Sequence, residues 1–202
     1  RVLVRRWRQL RGRRRLRAVV SSMATLLSTL RRWARHVWLD ERASRRWLDD
    51  AAAERLRQRI AAGEAQHLGE VRICVEASLP LAWLWPPPAD EADLAARIRR
   101  RAVQWFARLH VWDTEANAGV LIYVLLAERV IEIVADRTLA RQVPPAQWDD
   151  TVQALQHGLR AGTVEAALTR AVDTVHGWLL AVAPATSGQP NPNELPDAVV
   201  RV

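Results

Sequence analysis

Lysine is missing altogether from the 202 residues, and cysteine, methionine, tyrosine and phenylalanine occur once each. The single cysteine, Cys74, excludes an intrachain disulfide and any zinc cluster built on several thiolates. No stretch reaches the ~18 consecutive apolar residues that a bilayer-spanning helix needs, so no segment reads as transmembrane. There is no Gly-x-Ser-x-Gly elbow, P-loop, His-Glu-x-x-His pair or dinucleotide-binding glycine fingerprint. No arginine follows Cys74 before Arg97, which removes a cysteine-dependent phosphatase loop. The five histidines, His36, His67, His110, His157 and His176, are scattered and read as structural residues rather than a ligand set.

What is present fits one globular domain with tails: 50% of residues are hydrophobic and 26% charged. A net charge of +8 would point to a nucleic acid or an anionic membrane, but its location changes that reading. Residues 1–22 hold nine arginines and no acid, whereas the rest carries 21 arginines against 22 acids. All thirty basic residues are arginine, as GC-rich codon usage would produce, and the one methionine, Met23, directly follows the basic segment. Residues 1–22 are therefore expected to be a disordered extension upstream of a true start at Met23. The alternatives are a tether to nucleic acid or anionic membrane, and the n-region of a secretory signal. The signal reading is weakened by Ser21, Ser22, Thr25, Ser28 and Thr29 within its apolar stretch and by Arg31 and Arg32 at its end. A cytoplasmic protein is expected.

Along the chain, Leu26, Leu27, Leu30, Trp33, Val37 and Trp38 recur at helical spacing, predicting an amphipathic helix over 23–48 that packs on the body or lies on a membrane surface. Asp49 and Asp50 cap a second helix with Ala53, Leu56 and Ile60 on one face. Val71, Ile73 and Val75 alternate with Arg72, Cys74 and Glu76, the mark of a strand with one apolar face. Beyond Pro86, Pro87 and Pro88, Asp90, Glu91 and Asp93 open a long helix whose buried stripe is Leu94, Ile98, Ala102, Trp105, Phe106 and Leu109. Residues 120–126 form a nearly continuous apolar run, and 130–134 a second strand, together an antiparallel hairpin. Pro144 and Pro145 begin a helix ending near Gly162, and Thr163 caps a last one. The domain spans 49–183, and the proline-rich residues 184–202 read as a disordered tail. This order gives an α/β protein, an αβα sandwich with a small mixed sheet and helices on both faces.

Within that frame, Gly69-Glu70-Val71-Arg72-Ile73 with Val75-Glu76, Asn117-Ala118-Gly119 before Val120-Leu121-Ile122, the run from Val130 to Asp136, and Leu159-Arg160-Ala161-Gly162 resemble the TPM domain family. That family takes its name from a thylakoid lumen protein, a photosystem II repair protein and an acetylcholine-receptor auxiliary subunit. The resemblance covers about residues 50 to 182 and implies an αβα fold, a phosphatase-like superfamily, weak acid-phosphatase activity as in plant members, and divalent-ion binding. Many members carry a signal peptide and a C-terminal anchor; a short, soluble, bacterial-type member is expected here. Two positions depart from the family pattern: Ala118 stands where a second asparagine is usual, and Asp136-Arg137-Thr138-Leu139 replaces a glycine-rich turn.

If the first two strands are parallel, their starts and the end of the third meet at one edge. That edge gathers His67, Glu70, Asp113, Glu115, Asn117, Asp136 and Arg137, with Trp112 as a packing residue. Asp113, Glu115, Asn117 and Asp136 are candidate ligands for Ca²⁺ or Mg²⁺, which take oxygen donors, and Arg137 is a candidate phosphate contact. The spacing of Asp113, Glu115 and Asn117 imitates an EF-hand, but Ala118 and Val124 occupy the positions that need Gly and Glu. Three functions follow: a non-catalytic binding or assembly module with an unidentified protein partner, a weak metal-assisted phosphomonoesterase, and nucleic-acid or membrane binding through residues 1–22. The first is preferred.

Overall fold

The computed structural model of the chain describes residues 29–185 and 194–202; the arginine-rich segment and Met23 lie outside the described residues. The order is α1 (helical over 29–38), α2 (Glu41–Trp47), α3 (Asp50–Glu64), β1 (Val71–Glu76), α4 (Glu91–Arg108), β2 (Val120–Leu125), β3 (Val130–Ala135), α5 (Arg137–Gln142), α6 (Pro145–Arg160), α7 (Val164–Val182) and β4 (Val200–Arg201). Local chemistry sets several of these boundaries. The Asp49 carboxylate accepts from the Ala52 amide at 2.7 Å and starts α3; Asp90 does the same for α4, accepting from Asp93 at 2.8 Å. Gly162, at φ 77°, closes α6 in the left-handed conformation that glycine adopts without strain. Thr163 stands at the start of α7 but does not cap it, because its hydroxyl donates to the Gly158 carbonyl.

The sheet runs β3-β2-β1-β4, with β1 parallel to β2 and β4, and β2 antiparallel to β3. One face carries Val71, Ile73, Val75, Val120, Ile122, Val124 and Ile131 against apolar residues of α3, α6 and α7. The other carries Cys74, Leu121, Tyr123, Leu125 and Val134 against α4, with Trp33 of α1 at its margin. The architecture is thus the αβα sandwich with a small mixed sheet. Both faces being covered, β1 and β2 are buried along their whole length, Arg72 and Glu76 included.

Three segments differ from the expectations of pattern. The stretch read as one helix over 23–48 is, over its described residues, two, because Asp40 breaks the run and caps α2 by accepting from the Ala43 amide at 3.2 Å. Asp136-Arg137-Thr138-Leu139, which stands where the family pattern has a glycine-rich turn, is the entrance to α5, a helix the sequence reading did not include because its six residues are too few to show a period. The stretch read as a disordered tail ends, over 194–202, as a strap on the body. Composition counted its prolines against folding, yet a two-residue ladder suffices where Leu195 is buried and Val200 and Val202 join the α4-side core. Pro196 costs nothing there, since only its carbonyl is used, as acceptor for the Arg72 guanidinium.

Candidate functional site

The register Val71 to Val120 to Ala135 brings the starts of β1 and β2 level with the end of β3. Backbone bonds extend this alignment into the rim: the Val120 amide donates to the Glu70 carbonyl at 2.8 Å, and the Asp136 amide to the Gly119 carbonyl at 2.8 Å. Gly119 admits no side chain, because a Cβ there would lie 1.8 Å from the Val111 carbonyl oxygen. Just before it Asn117 sits at φ 49°, a left-handed conformation that asparagine tolerates better than most residues. The Asn117 amide donates to the Thr114 carbonyl at 3.0 Å, the Ala118 amide to Thr114 Oγ1 at 3.1 Å, and Thr138 Oγ1 to the Ala116 carbonyl at 3.1 Å. The loop is therefore tied to the first turn of α5.

On this scaffold Asp113, Glu115, Asn117 and Arg137 are exposed and Asp136 half-buried. Asp136 Oδ1 accepts from the Arg137 amide at 2.6 Å, so a carboxylate occupies the start of α5. The Glu115 amide donates to the Glu194 carboxylate at 3.1 Å, adding a rim acid from the strap that the sequence reading did not include. The donors are of the oxygen type that Ca²⁺ and Mg²⁺ take. Among the described residues, however, no three Asp, Glu, His or Cys side chains converge as a metal cluster, so the rim is not a ready-made cage. Trp112 is half exposed rather than packed under the loop.

Two expected rim residues lie deeper. His67 is buried, its Nδ1 accepting from the Gly69 amide at 3.2 Å and its Nε2 lying 2.7 Å from Nδ1 of buried His176. With Nδ1 of His67 an acceptor, its Nε2 carries the proton and donates to His176. Burial lowers the pKa of both rings, that of His176 to about 4. Glu70 is also buried, its Oε1 accepting from the Glu194 amide at 3.1 Å. It belongs to a cluster with Glu64, Arg72 and Asp197 that the strap closes. Glu64 Oε1 accepts from the Val71 amide at 2.7 Å, and Arg57 of α3 approaches Asp197 at 3.9 Å. Burial, with neighbouring acids reinforcing it, pushes the Glu64 carboxyl up to about 9 and the Glu70 carboxyl to about 7; burial likewise lowers the Arg72 guanidinium.

At the other end of β1, Glu76 is held from several sides. Arg101 Nε donates to its oxygens at 3.0 and 3.1 Å, Trp105 Nε1 at 2.9 Å and the Tyr123 hydroxyl at 2.6 Å. The Arg101 guanidinium also lies over the rings of Trp83 and Trp105 at 5.4 and 5.2 Å. Cys74 is buried beside this network and its thiol is raised by burial, so it is a packed strand residue and not a nucleophile.

The TPM domain family model matches residues 43–177 of the chain. Among solved structures, the chain is similar to the NMR structure of the BA42 protein from the psychrophilic bacterium Bizionia argentinensis. The identity is 23% and the TM-score 0.60, over 76% of this chain and 94% of that one, a likeness that bears on the fold alone. No curated protein matches the sequence.

Proposed function

The chain belongs to the TPM domain family, and from that membership we propose that it is a non-catalytic binding and assembly module whose contact face is the strand-end rim. One contrast carries this reading. The side chains with reactive potential, Cys74, Glu76, His67 and His176, are buried and packed or bonded among themselves, whereas Asp113, Glu115 and Arg137 are exposed on a backbone fixed by Asn117, Thr138 and Gly119. Charged groups displayed on a rigid loop with reactive groups withdrawn suit recognition of a protein surface.

The competing phosphomonoesterase reading would use Arg137 for phosphate with Asp113, Asn117 and Asp136 around an ion. The Asp136 carboxylate on the Arg137 amide weighs against it, since it places negative charge where the phosphate would approach. Asp113, Glu115, Asn117 and Asp136 would serve an ion only by drawing together around it, as a contact face can do when a partner supplies further oxygens.

The test installs a photo-crosslinking residue at Glu115 and, as a control on a remote helix, at Gln58. A stoichiometric partner is expected from the rim position alone, and its loss is expected in the chain carrying Asp113→Asn, Glu115→Gln and Asp136→Asn. Titration of Ca²⁺ and Mg²⁺ into wild type and Asp136→Asn runs alongside, and saturable heat lost in the variant would make the contact ion-dependent. Phosphomonoester hydrolysis by the purified protein, abolished by chelator or by Asp136→Asn, would overturn the binding reading in favour of the enzyme.

A further inference from the structure

Helix α1 is amphipathic in an inverted sense. Its side toward the body is largely polar: His36, only 4% exposed, bonds through Nε2 to Glu128 at 2.9 Å and accepts at Nδ1 from the Leu79 amide at 2.9 Å. Arg32 reaches Glu128 at 3.2 Å and Glu91 at 2.8 Å, and Arg35 reaches Glu128 at 3.5 Å. Burial alone would raise the Glu128 carboxyl, yet His36 and these arginines hold it below its usual range, so the pin is ionic and persists at neutral pH. The opposite side is apolar: Leu30, Val37 and Trp38 are 62%, 62% and 85% exposed, and with Ala34 they fall at the i, i+4, i+7, i+8 spacing of one helical stripe. Trp85, 66% exposed and stacked edge-on against Trp33 at 5.9 Å, continues the stripe at its flank.

A helix fixed to its domain by polar bonds while its aliphatic and indole side chains face outward is built for a second apolar environment. The charge distribution says which kind. Among the described residues, 29–46 carry six arginines against two acids, whereas those from 47 on carry fifteen arginines against twenty acids, so the apolar stripe belongs to the one basic stretch of an otherwise acidic body. Arg31 flanks the stripe directly and Arg42 is exposed on the next helix, whereas Arg35 is committed to Glu128. We propose that the outward stripe of α1, Leu30, Val37 and Trp38 flanked by Arg31, seats on the surface of an anionic phospholipid bilayer. The apolar side chains enter the boundary between headgroups and acyl chains, the guanidiniums meet lipid phosphates, and the net negative body is held away from the surface. A nucleic acid fits less well, because Leu30, Ala34 and Val37 make up most of the stripe and give bases nothing to stack on.

The test is co-sedimentation of the full chain with vesicles of phosphatidylglycerol and phosphatidylcholine, compared with phosphatidylcholine alone. Binding to the anionic vesicles is expected, falling steeply between low and physiological salt. It should drop at least about tenfold in Leu30→Ser/Val37→Ser/Trp38→Ser, a chain that keeps every arginine. These side chains are exposed, so the variant's melting curve should match wild type, and the milder Trp38→Phe should retain most of the binding. The fluorescence difference between wild type and Trp38→Phe isolates Trp38, and its blue shift on vesicles reports insertion. Undiminished binding by the triple-serine chain would assign attachment to residues 1–22 and overturn the proposal. So would equal binding to neutral vesicles, or binding of an RNA oligonucleotide with no vesicle binding.

Discussion

The two ends of β1 bury charge by opposite means. At its C-terminal end a single carboxylate, Glu76, meets an arginine fork, an indole and a phenol, so each oxygen is bonded. At its N-terminal end Glu64, Glu70 and Asp197 gather round one buried guanidinium, Arg72, and protons rather than cations supply the missing positive charge. The first arrangement is closed between β1, β2 and α4, elements fixed by the sheet. The second depends on the strap, which delivers Asp197, the Pro196 carbonyl and the Glu194 amide from the far end of the chain. Burial is similar at both ends, and the supply of counter-charge separates a permanent brace from a conditional one.

The largest expected effect breaks the brace. Arg101→Leu leaves Glu76 buried with only neutral donors, and a loss of about 3–5 kcal/mol is expected in urea unfolding. Replacing both partners, Glu76→Leu with Arg101→Leu, should recover a large part of that loss, because the cost lies in the stranded charge. If the single and double variants unfold at the same midpoint, the network contributes through packing and the contrast with the other end of β1 fails.

A smaller effect separates the ends by pH. Glu64 and Glu70 are raised from 4.5 to about 9 and about 7, so between those values the native chain holds protons that the unfolded chain has released. Their contribution is complete below pH 4.5 and is lost as pH rises through 7 for Glu70 and through 9 for Glu64. His176 runs the other way: lowered from 6.5 to about 4, its contribution is complete above 6.5 and is lost as pH falls toward 4. Above pH 6.5 only the carboxyl effect remains, and stability should fall by on the order of 2 kcal/mol between pH 7 and 9. Glu64→Gln copies the protonated carboxyl but cannot ionise in the unfolded chain, so it should match wild type near pH 4.5, exceed it at pH 7 by on the order of 3 kcal/mol, and flatten the alkaline decline. A slope that survives in Glu64→Gln would place the titrating group elsewhere.

How much of this was legible depended on distance along the chain. The cap at Asp49 and the apolar run of β2 follow from local pattern, as does the acidic opening of α4, where Asp90 proves to be the cap rather than part of the first turn. The parallel pairing that forms the rim follows from the crossover rule for a strand-helix-strand unit. The strap did not, because a ladder of two residues carries no periodic signal and its partners lie more than a hundred residues away, as Arg72 and Pro196 do. Glu194 was missed at the rim for the same reason. Glu64 did leave a signal: it shares the face of Leu56 and Ile60 and sits in the last turn of α3, where a negative charge opposes the helix dipole. An acid so placed, on an apolar face and at the wrong helix end, marks a buried group with a special partner. His67 gave no such sign, since a histidine before a strand reads equally well as rim or core.

The smallest expected effect is a control on geometry. Arg55 of α3 and Glu165 of α7 form a fork as good as that of Arg101 and Glu76, with Nε to Oε1 at 2.6 Å and Nη2 to Oε2 at 2.7 Å. Both side chains are open to solvent, so water already solvates each charge and salt screens their attraction, whereas the side chains of Arg101 and Glu76 are about 6% and 5% exposed. Arg55→Leu should therefore leave the urea midpoint unmoved within error, and any residual shift should vanish in added salt. A drop approaching that of Arg101→Leu would mean that fork geometry, rather than removal from water, sets the strength of these pairs, and the distinction drawn between the two ends of β1 would lose its physical basis.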